Sequence, residues 1–397
     1  MKEGWEYIDF KDVFPIKMGK TPPRGDKSLW DTEKKTKNKW VSIADISSSE
    51  GKIIYDTKEY ISDNAAEKIF KVAKGSLLMS FKLSIGRMAF AGDDLYTNEA
   101  IIAIPESKSY ILRFMYYYLS SYNWLSLTEG NEKVKGATLN KTSIGKIKLP
   151  KIPLTEQQSI VSYLDAAFAK IDAMKANAEK ALSEAKALFQ ASLKDLLTPK
   201  KGWEEKKLQD ICTDIVDCPH TTPKKVGVPT QYPCIRTSEL KGGQIEWSSM
   251  QYIDENEYRK RVSRLVPKAN DLVYGREGTY GDAVLLPEGY NFSLGQRTML
   301  LRANEIYIIP KFLLYSMISC HVYEQAKAKN SGCGVGHVNV KDIKLFKLFI
   351  PTIDTQQTIV STLDTLKSKV DRLQANYEKI SAECDALKQA ILRQVFE

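Results

Sequence analysis

The chain has 397 residues, a formal net charge of +9, 43% apolar residues and 27% charged residues. That composition is ordinary for a folded protein, and the length favours two or more domains over one. The chain contains no apolar run of about 18 residues, the length that a membrane-spanning helix needs, and its first residues lack an apolar signal segment. We therefore expect a cytoplasmic protein that does not enter a membrane.

The first 150 residues read as a mixture of strands and helices. Strands are predicted at 40–44 and 100–104, where apolar runs are bounded by polar residues or proline. Residues 74–80 read as a turn that enters a strand, residues 86–90 as the strand that returns, and residues 110–119 as a short helix. An α+β lobe is therefore predicted.

A second lobe of the same kind is predicted after residue 200. Residues 268–274 and 281–285 read as its strand pair, and residues 311–319 as its short helix. Each lobe ends shortly before a proline, Pro153 in the first and Pro351 in the second. Proline is well tolerated at the start of a helix, so a helix is predicted after each lobe.

The end of the chain carries a heptad pattern. Apolar residues fall seven apart in two rows between residues 363 and 391, which is typical of a long helix that packs against another helix. Carried back by 199 residues, the pattern falls on the helix after Pro153, with mostly smaller side chains. We expect an antiparallel coiled coil within one chain. Its predicted seam residues are Leu164, Ile171, Met174, Leu188, Leu363, Leu366, Val370, Leu373, Tyr377, Ile380, Leu387 and Ile391.

The two halves of the chain are a tandem repeat. Three short stretches recur: Gly4-Trp5-Glu6 as Gly202-Trp203-Glu204, Gln157–Ser162 as Gln356–Ser361, and Leu164-Asp165 as Leu363-Asp364. Their order predicts lobe, helix, lobe, helix. The predicted boundaries are 1–152, 153–199, 200–350 and 351–397.

The excess of positive charge belongs to the lobes. Residues 1–150 hold 24 Lys and Arg against 19 Asp and Glu, and residues 201–350 hold 21 against 17, whereas the two helical segments together add no net charge. This distribution is expected if the lobes contact a polyanion. A modest basic excess also occurs in proteins that bind nothing acidic, so the charge alone does not decide the function.

The sequence lacks the motifs that mark common enzymes. Gly19-Lys20-Thr21 resembles the end of a phosphate-binding loop, but Phe14 stands where the upstream glycine is needed and Pro22-Pro23 follows. The six cysteines lack the close spacing of a zinc site, and the three histidines show no spacing that suggests a metal site or a triad. We expect the chain to be non-catalytic and to bind no metal or cofactor itself.

The motif that opens each long helix resembles a known family. Pro-x-x-x-Gln-Gln-x-Ile-Val-x-x-Leu-Asp runs from Pro153 to Asp165 and recurs from Pro351 to Asp364, with one extra residue before Gln356. Together with the order of lobes and helices, this resembles the specificity subunit of type I restriction-modification systems. The resemblance covers essentially the whole chain.

The resemblance implies a function and a set of partners. Each lobe would be a target recognition domain that reads one half of a split double-stranded DNA target, and the coiled coil would set the spacer between the halves. Two modification subunits would bind S-adenosylmethionine and methylate adenine, and two restriction subunits would use ATP and Mg²⁺. Two other interpretations stay open at this point: a specificity subunit of a methylation-only complex, and a coiled-coil scaffold that does not bind DNA.

Candidate DNA contacts follow from side-chain chemistry, since base reading needs polar groups on loops and phosphate contacts need cations. In the first lobe the candidates are Lys20, Arg24, Lys82, Ser84, Arg87, Lys133, Lys135 and Asn140. In the second they are His220, Lys224, Lys225, Arg236, Arg276, Thr279, Arg297 and Asn339. For Asn140 and Asn339, shaping the loop before a helix is the competing role. We expect Arg276→Ala to weaken DNA binding without unfolding the protein.

Overall fold

The computed structural model describes residues 2–127, 135–278, 280–329 and 336–397, the side chains of residues 135–137 excepted. The chain divides into two compact units. Unit 1 comprises residues 1–177 and 378–397, and unit 2 comprises residues 178–377. Each unit therefore holds one lobe and one part of each long helix. In the described part of the chain, no helix is long and apolar enough to cross a membrane.

Lobe one, the part of unit 1 that precedes Pro153, mixes short strands with short helices. Its strands are Tyr7–Asp9, Lys39–Val41, Ile53–Ile54, Glu59–Tyr60, Leu77–Ser80, Lys82–Ser84, Met88–Ala91, Tyr96–Thr97, Ile101–Ile104, Lys135–Thr138 and Lys148–Pro150. Its helices are Ile43–Ser48, Asp63–Ala66, Leu112–Ser121 and Lys141–Gly145, with 3-10 turns at Phe10–Asp12, Lys27–Leu29 and Trp124–Leu127.

Lobe two, residues 200–350, is built in the same manner. Its strands are Glu204–Lys207, Cys212–Asp217, Lys225–Val226, Pro233–Ile235, Leu240–Lys241, Gln244–Ile245, Gln251–Ile253, Leu272–Gly275, Ala283–Leu285, Ser293–Leu294, Thr298–Ala303 and Lys347–Ile350. Its helices are Leu208–Ile211, Glu255–Arg261, Pro310–Met317, Cys320–Ala328 and Val340–Ile343, with 3-10 turns at Thr237–Glu239 and Trp247–Ser249.

Lobe one contains one four-stranded sheet and lobe two contains two, counted over the described residues, and in each lobe one such sheet has apolar clusters on both faces. In lobe one, Leu77 and Met79 of a central strand pack into one apolar cluster, and Leu78 between them packs into another. In lobe two, Leu272 and Val273 divide between two clusters in the same way. This is the alternation of a strand whose successive side chains point to opposite faces.

The repeated Gly-Trp-Glu stretch marks where each lobe closes. In lobe one, the strand Tyr7–Asp9 pairs antiparallel with Lys148–Pro150. In lobe two, Glu204–Lys207 pairs antiparallel with Lys347–Ile350. The glycine before each tryptophan has a positive φ, 83° at Gly4 and 93° at Gly202, which a residue without a side chain adopts most readily.

Most sequence-predicted elements are confirmed, with one exception near residue 43. The strand predicted at 40–44 ends at Val41, and Ile43–Ser48 is a helix. Ser42 caps this helix, because its Oγ accepts from the Asp45 N–H and the Asp45 carboxylate accepts from the Ser42 N–H. The capping pair therefore outweighs the β-branched Ile43, which by itself favours a strand.

The two long helices pack together antiparallel. The first spans Leu154–Leu196 and the second Ile353–Phe396. In unit 1, Lys388 pairs with Asp172 and Asp385 with Lys175, so the residue numbers rise in one helix as they fall in the other. In unit 2, the Lys186 ammonium donates to the Gln374 amide in the same sense.

One of the two predicted seam rows is right, and the other is displaced on the first helix. Leu164, Ile171, Leu363 and Val370 are buried as predicted. Leu366, Leu373, Tyr377, Ile380 and Ile391 are half-buried. The predictions for Met174, Leu188 and Leu387 are wrong, since these residues are 57%, 59% and 47% exposed.

The displacement on the first helix has a plain physical reason. Phe189, one residue after the predicted Leu188, is buried instead, and so is Leu182, seven residues before Phe189. Positions three and four residues from a buried site both border a helix face, and the side chain with more apolar surface occupies the interior. On the second helix, Lys388 rather than Leu387 faces the first, pairing with Asp172 and lying over the Phe168 ring.

Candidate nucleic-acid interface

Arg24 lies at the centre of a cation-rich pocket in lobe one. Its guanidinium forms a two-pronged ion pair with Glu59, with Nη2 and Oε2 3.0 Å apart, and it stacks 4.0 Å from the Trp30 ring centroid. The hydrogen bond that Arg24 donates to Glu59 raises the pKa of Arg24. The pocket has a volume of about 600 Å³ and is lined by Arg24, Lys27, Trp30, Asp31, Thr32, Lys34, Lys58, Glu59 and Tyr60.

The rim of this pocket includes a tyrosine that stays protonated. Tyr60 donates from its hydroxyl to Asp56 at 2.7 Å. Burial, and then the hydrogen bond to Asp56, raise the pKa of Tyr60 to about 12. The pocket therefore presents four cations, two carboxylates, two aromatic rings and two hydroxyls. The cations, rings and hydroxyls suit phosphate and base contacts.

Two of the loops predicted in lobe one come together. The strand Lys82–Ser84 pairs antiparallel with Lys135–Thr138, placing Lys135 opposite Ser84. Arg87, just beyond this strand, is exposed and its guanidinium lies 3.6 Å from the Glu50 carboxylate. Lys20 is also exposed, and its carbonyl accepts a hydrogen bond from the Trp40 indole.

Some predicted residues have structural partners or lie outside the described part of the chain. Asn140 caps the helix that begins at Lys141, and its side chain accepts from the Ser143 N–H at 2.8 Å. Asn140 therefore shapes the loop before a helix, which is the alternative to a DNA contact that the sequence left open for it. Lys133 and Thr279 lie outside the described residues, as does the side chain of Lys135.

In lobe two, four predicted residues gather around two acids, Asp217 and Glu277, which we call the acidic hub. Arg276 pairs with both, at 2.9 Å from each. His220 lies 3.2 Å from Asp217, and Arg297 lies 3.6 Å from Glu277. Asn339 joins through His337, which lies 3.0 Å from Glu277 and 3.4 Å from the Asn339 side-chain oxygen.

The burial of Arg276 corrects one expectation. Only 3% of this residue is exposed, and both of its acidic partners are half-buried. Removing one partner from such a group leaves charges without compensation, which is strongly destabilising. Arg276→Ala is therefore expected to disturb the fold of lobe two, contrary to the prediction made from the sequence.

The sequence did not indicate the two acids of the hub, because cations, amides and hydroxyls are the groups expected to contact DNA. Arg261 was missed too. It is buried, and its guanidinium donates to the carbonyls of Pro219 and Thr221, which bracket His220. The Glu257–Arg261 pair, four residues apart on one helix, was the available signal for a structural role.

The remaining candidates in lobe two differ in whether their charged groups are paired with an acid of the same lobe. Arg236 pairs with Glu239 at 2.6 Å, and the Glu239 carboxylate is buried, so this guanidinium holds a turn in place. Lys224 and Lys225 are exposed, and Lys225 belongs to the short strand Lys225–Val226. Among these three, the lysines are the cations that a phosphate could approach without breaking an internal pair.

The fold and the loop surfaces place the protein in the class in which two related lobes, each with polar loops that bear cations, are joined by a pair of antiparallel long helices. A family model of the type I restriction modification DNA specificity domain matches residues 2–183 and again residues 200–382. Because these matches cover most of the chain, it belongs to the family of type I restriction-modification specificity subunits.

Individual relatives agree with this assignment. The chain is 24% identical over 320 residues to the type I restriction enzyme EcoBI specificity subunit of Escherichia coli, an alignment that spans 74% of this chain and 67% of that protein. It is 23% identical over 265 residues to the putative type I restriction enzyme specificity subunit S.HindORF215P of Haemophilus influenzae. That second alignment spans 64% of this chain and 63% of the relative.

Two solved structures share the fold. A chain from a structure of complex assembly and conformational transition in a type I R-M system has a TM-score of 0.75 and 17% identity, with 100% of this chain and 98% of that chain covered. The HsdS subunit from Thermoanaerobacter tengcongensis has a TM-score of 0.54 and 16% identity, with 100% and 97% covered. At these identities the likeness concerns the fold alone.

Proposed function

We propose that this chain is the DNA-reading subunit of a type I restriction-modification complex, in which each lobe recognises one half of a bipartite target. The long helices set the distance between the halves and offer a surface to two modification subunits, and two restriction subunits complete the assembly. The chain itself performs no catalysis. S-adenosylmethionine, ATP and Mg²⁺ belong to the partner subunits.

The observation that carries this proposal is the contrast between scaffold and surface in the two units. Both lobes close with the same strand pair and meet a long helix through the same motif. Their loops differ: lobe one has the Arg24 pocket, whereas lobe two has the acidic hub, where His220 and Arg297 are the exposed basic partners. One scaffold with two different surfaces suits a target that has two different halves.

The chemistry of these loops fits recognition of a duplex. Exposed lysines such as Lys20 and Lys224 can contact phosphates, which positions the protein on the duplex without reading its sequence. Arg24 lies over the Trp30 ring and pairs with Glu59, so its guanidinium is ordered before any ligand arrives. An ordered guanidinium loses less entropy on binding than a free one.

The test is to map methylation in vivo. The chain is co-expressed with its modification subunits in a host that lacks methylation of its own, and modified adenines are mapped across the genome. We expect one split motif with a fixed spacer, and no such motif when the modification subunits are expressed alone. Absence of methylation with all subunits present, or a continuous motif, would contradict the proposal.

A gel-shift comparison separates recognition from simple charge attraction. Duplex that contains the mapped motif is compared with duplex of scrambled sequence, with the modification subunits present, at several salt concentrations. A specific reader retains its preference as salt rises, whereas non-specific binding is lost steeply. A scaffold that does not bind DNA would shift neither duplex.

A further inference from the structure

The first glutamine of each repeated motif is fully buried. Gln157 and Gln356 are both 0% exposed, in contrast to their neighbours Gln158 and Gln357, which are exposed. An uncharged amide is costly to bury unless its donors and acceptor are all satisfied. The partners of the two buried amides therefore indicate what these residues do.

Each buried amide makes the same three hydrogen bonds to main-chain groups. Gln157 accepts from the Ile111 N–H at 2.9 Å and donates to the carbonyls of Ser109 at 2.8 Å and Ile152 at 3.0 Å. Ser109 and Ile111 lie just before the lobe's helix Leu112–Ser121, and Ile152 lies just before the long helix. The amide thus ties three segments together at one point.

Unit 2 repeats this arrangement with the same distances. Gln356 accepts from the Ile309 N–H at 2.9 Å and donates to the carbonyls of Tyr307 at 2.8 Å and Pro351 at 3.0 Å. The helix Pro310–Met317 takes the place of Leu112–Ser121. Recurrence of all three bonds in a second lobe of different sequence indicates a shared geometric requirement.

A second contact, two turns further along each long helix, completes the connection. In unit 1 the Tyr117 hydroxyl donates to Asp165, which also pairs with Arg113 at 3.0 Å. In unit 2 the Tyr315 hydroxyl donates to Asp364 at 2.6 Å, and Lys311 pairs with the same carboxylate at 2.8 Å. Burial, and then the hydrogen bond to the aspartate, raise the pKa of Tyr315, which keeps its hydroxyl a donor.

Between these polar contacts, apolar residues of the motif enter the core of the adjoining lobe. Val161 and Leu164 belong to the apolar cluster of lobe one that contains Phe114. Val360 and Leu363 belong to the cluster of lobe two that contains Phe312. Burial of these side chains holds the lobe and the helix together, but apolar burial is not directional and does not fix the angle between them. The hydrogen bonds of the buried amide are directional and restrict that angle.

We propose that Gln157 and Gln356 are positioning residues that fix the angle of each lobe on its long helix and thereby fix the spacer between the two half-sites. We call each set of amide, tyrosine and aspartate the lobe joint. The proposal rests on the proposed function, because a spacer exists only if the lobes read a split target. If the joint loosens, each lobe should still read its own half-site, while the distance between half-sites becomes less strict.

The test uses the whole complex and a matched pair of variants. Gln157→Met and Gln356→Met keep the length of the side chain but remove all three hydrogen bonds, whereas Gln158→Met and Gln357→Met make the same change at exposed positions. Tyr117→Phe is a milder change of the same joint, which serves if Gln157→Met does not fold. All variants are first checked for folding by thermal unfolding.

The first readout is amide hydrogen exchange of the full chain, which does not depend on DNA. The Ile111 and Ile309 amides are hydrogen-bonded only if the glutamines hold them, so we expect their protection to fall by about an order of magnitude in the buried variants. The exposed variants should leave it unchanged. Unchanged protection in Gln157→Met would overturn the joint itself.

The second readout is the spacer, mapped through methylated adenines. We expect unchanged half-sites, with methylation at spacers one base pair longer or shorter raised about fivefold, the factor that one ordinary hydrogen bond is worth. A single strict spacer in a folded variant that has lost Ile111 protection would overturn the positioning role. If the wild-type complex shows no split motif, the proposed function fails instead, and the exchange result alone decides whether the joint exists.

Discussion

Tyr315 donates its hydroxyl hydrogen bond to Asp364 at 2.6 Å, and so links the lobe helix to the long helix in unit 2. Tyr315→Phe keeps the ring and removes only this bond. We expect it to lower the free energy of unfolding by about 1.5–3 kcal/mol, the usual net value of a hydrogen bond to a charged group. Chemical denaturation measures the change, with Tyr163→Phe on the exposed face of the first long helix as the control. Equal effects of the two substitutions would argue against the link.

The seam of the helix pair gives a second prediction. Leu164 and Leu363 are fully buried, whereas Met174 and Leu188 are more than half exposed. Leu164→Ala and Leu363→Ala should each cost about 2–5 kcal/mol, because both remove buried apolar surface and leave a cavity. Met174→Ala and Leu188→Ala should stay within about 0.5 kcal/mol of the wild type. Denaturant unfolding measures these losses. A loss of unfolding free energy at Met174 and Leu188 as large as at Leu164 and Leu363 would show that Met174 and Leu188 do belong to the seam.

The third prediction concerns Arg276 in the acidic hub. Arg276→Ala leaves Asp217 and Glu277 without their main cation, and we expect a loss of about 3–5 kcal/mol, typical of breaking a buried ion pair. Arg297→Ala removes an exposed partner of the same hub and should cost less than about 1 kcal/mol. Thermal unfolding of both variants decides the point. A stable Arg276→Ala protein with weakened DNA binding would restore the expectation drawn from the sequence.

The exposed lysines of lobe two give the fourth prediction. Replacing Lys224 and Lys225 by alanine should weaken binding to all duplexes alike and reduce the salt dependence by about two phosphate contacts, without altering stability. Binding is measured by fluorescence anisotropy over a range of salt concentrations. Lys170 and Lys369, exposed on the long helices, provide the matched control. An identical salt slope in the two double variants would remove Lys224 and Lys225 from the interface.

Glu50 in lobe one gives the fifth prediction, a dependence of stability on pH. Burial raises the pKa of Glu50 above its ordinary value of 4.5, although the Met88 N–H donates to its carboxylate. A carboxyl with a raised pKa in the folded state favours folding most when it is protonated, so its contribution is lost as pH rises from the ordinary value through the raised one. Glu50→Gln removes this loss and retains an acceptor for Met88. The variant should therefore gain stability relative to the wild type as the pH rises from 4.5 through the raised pKa, a gain that thermal melts over a pH series measure. A constant difference across that range would contradict the assignment.

The repeat and the helices could be predicted from the sequence because both are periodic features, and periodicity survives without knowledge of tertiary contacts. The row through Leu164 and Ile171 is an example. The other row failed because the choice between positions three and four residues away depends on the partner surface, and there Phe189 rather than Leu188 is buried. A pattern within one helix does not contain that information.

The candidate interface was less predictable, since the role of a charged side chain depends on what surrounds it. Arg276 and Lys224 are both cations in regions predicted to be loops, yet one is buried between two acids and the other is exposed. Nor does the sequence distinguish Gln157 from Gln158. Only the fold shows that the first faces main-chain groups of the lobe and the second faces solvent.

The lobe joint uses only main-chain groups as partners of its glutamine, and this bears on how the lobes can change. Ser109 in lobe one corresponds to Tyr307 in lobe two, yet the carbonyl of each accepts the same bond. Because every residue carries a carbonyl, substitutions at these positions leave the attachment intact. If each lobe reads a half-site as proposed, its surface loops can change, and with them its target, while the glutamine keeps the lobe attached to the helix. New specificities would then arise without any change in the long helices or in the glutamines that hold the lobes.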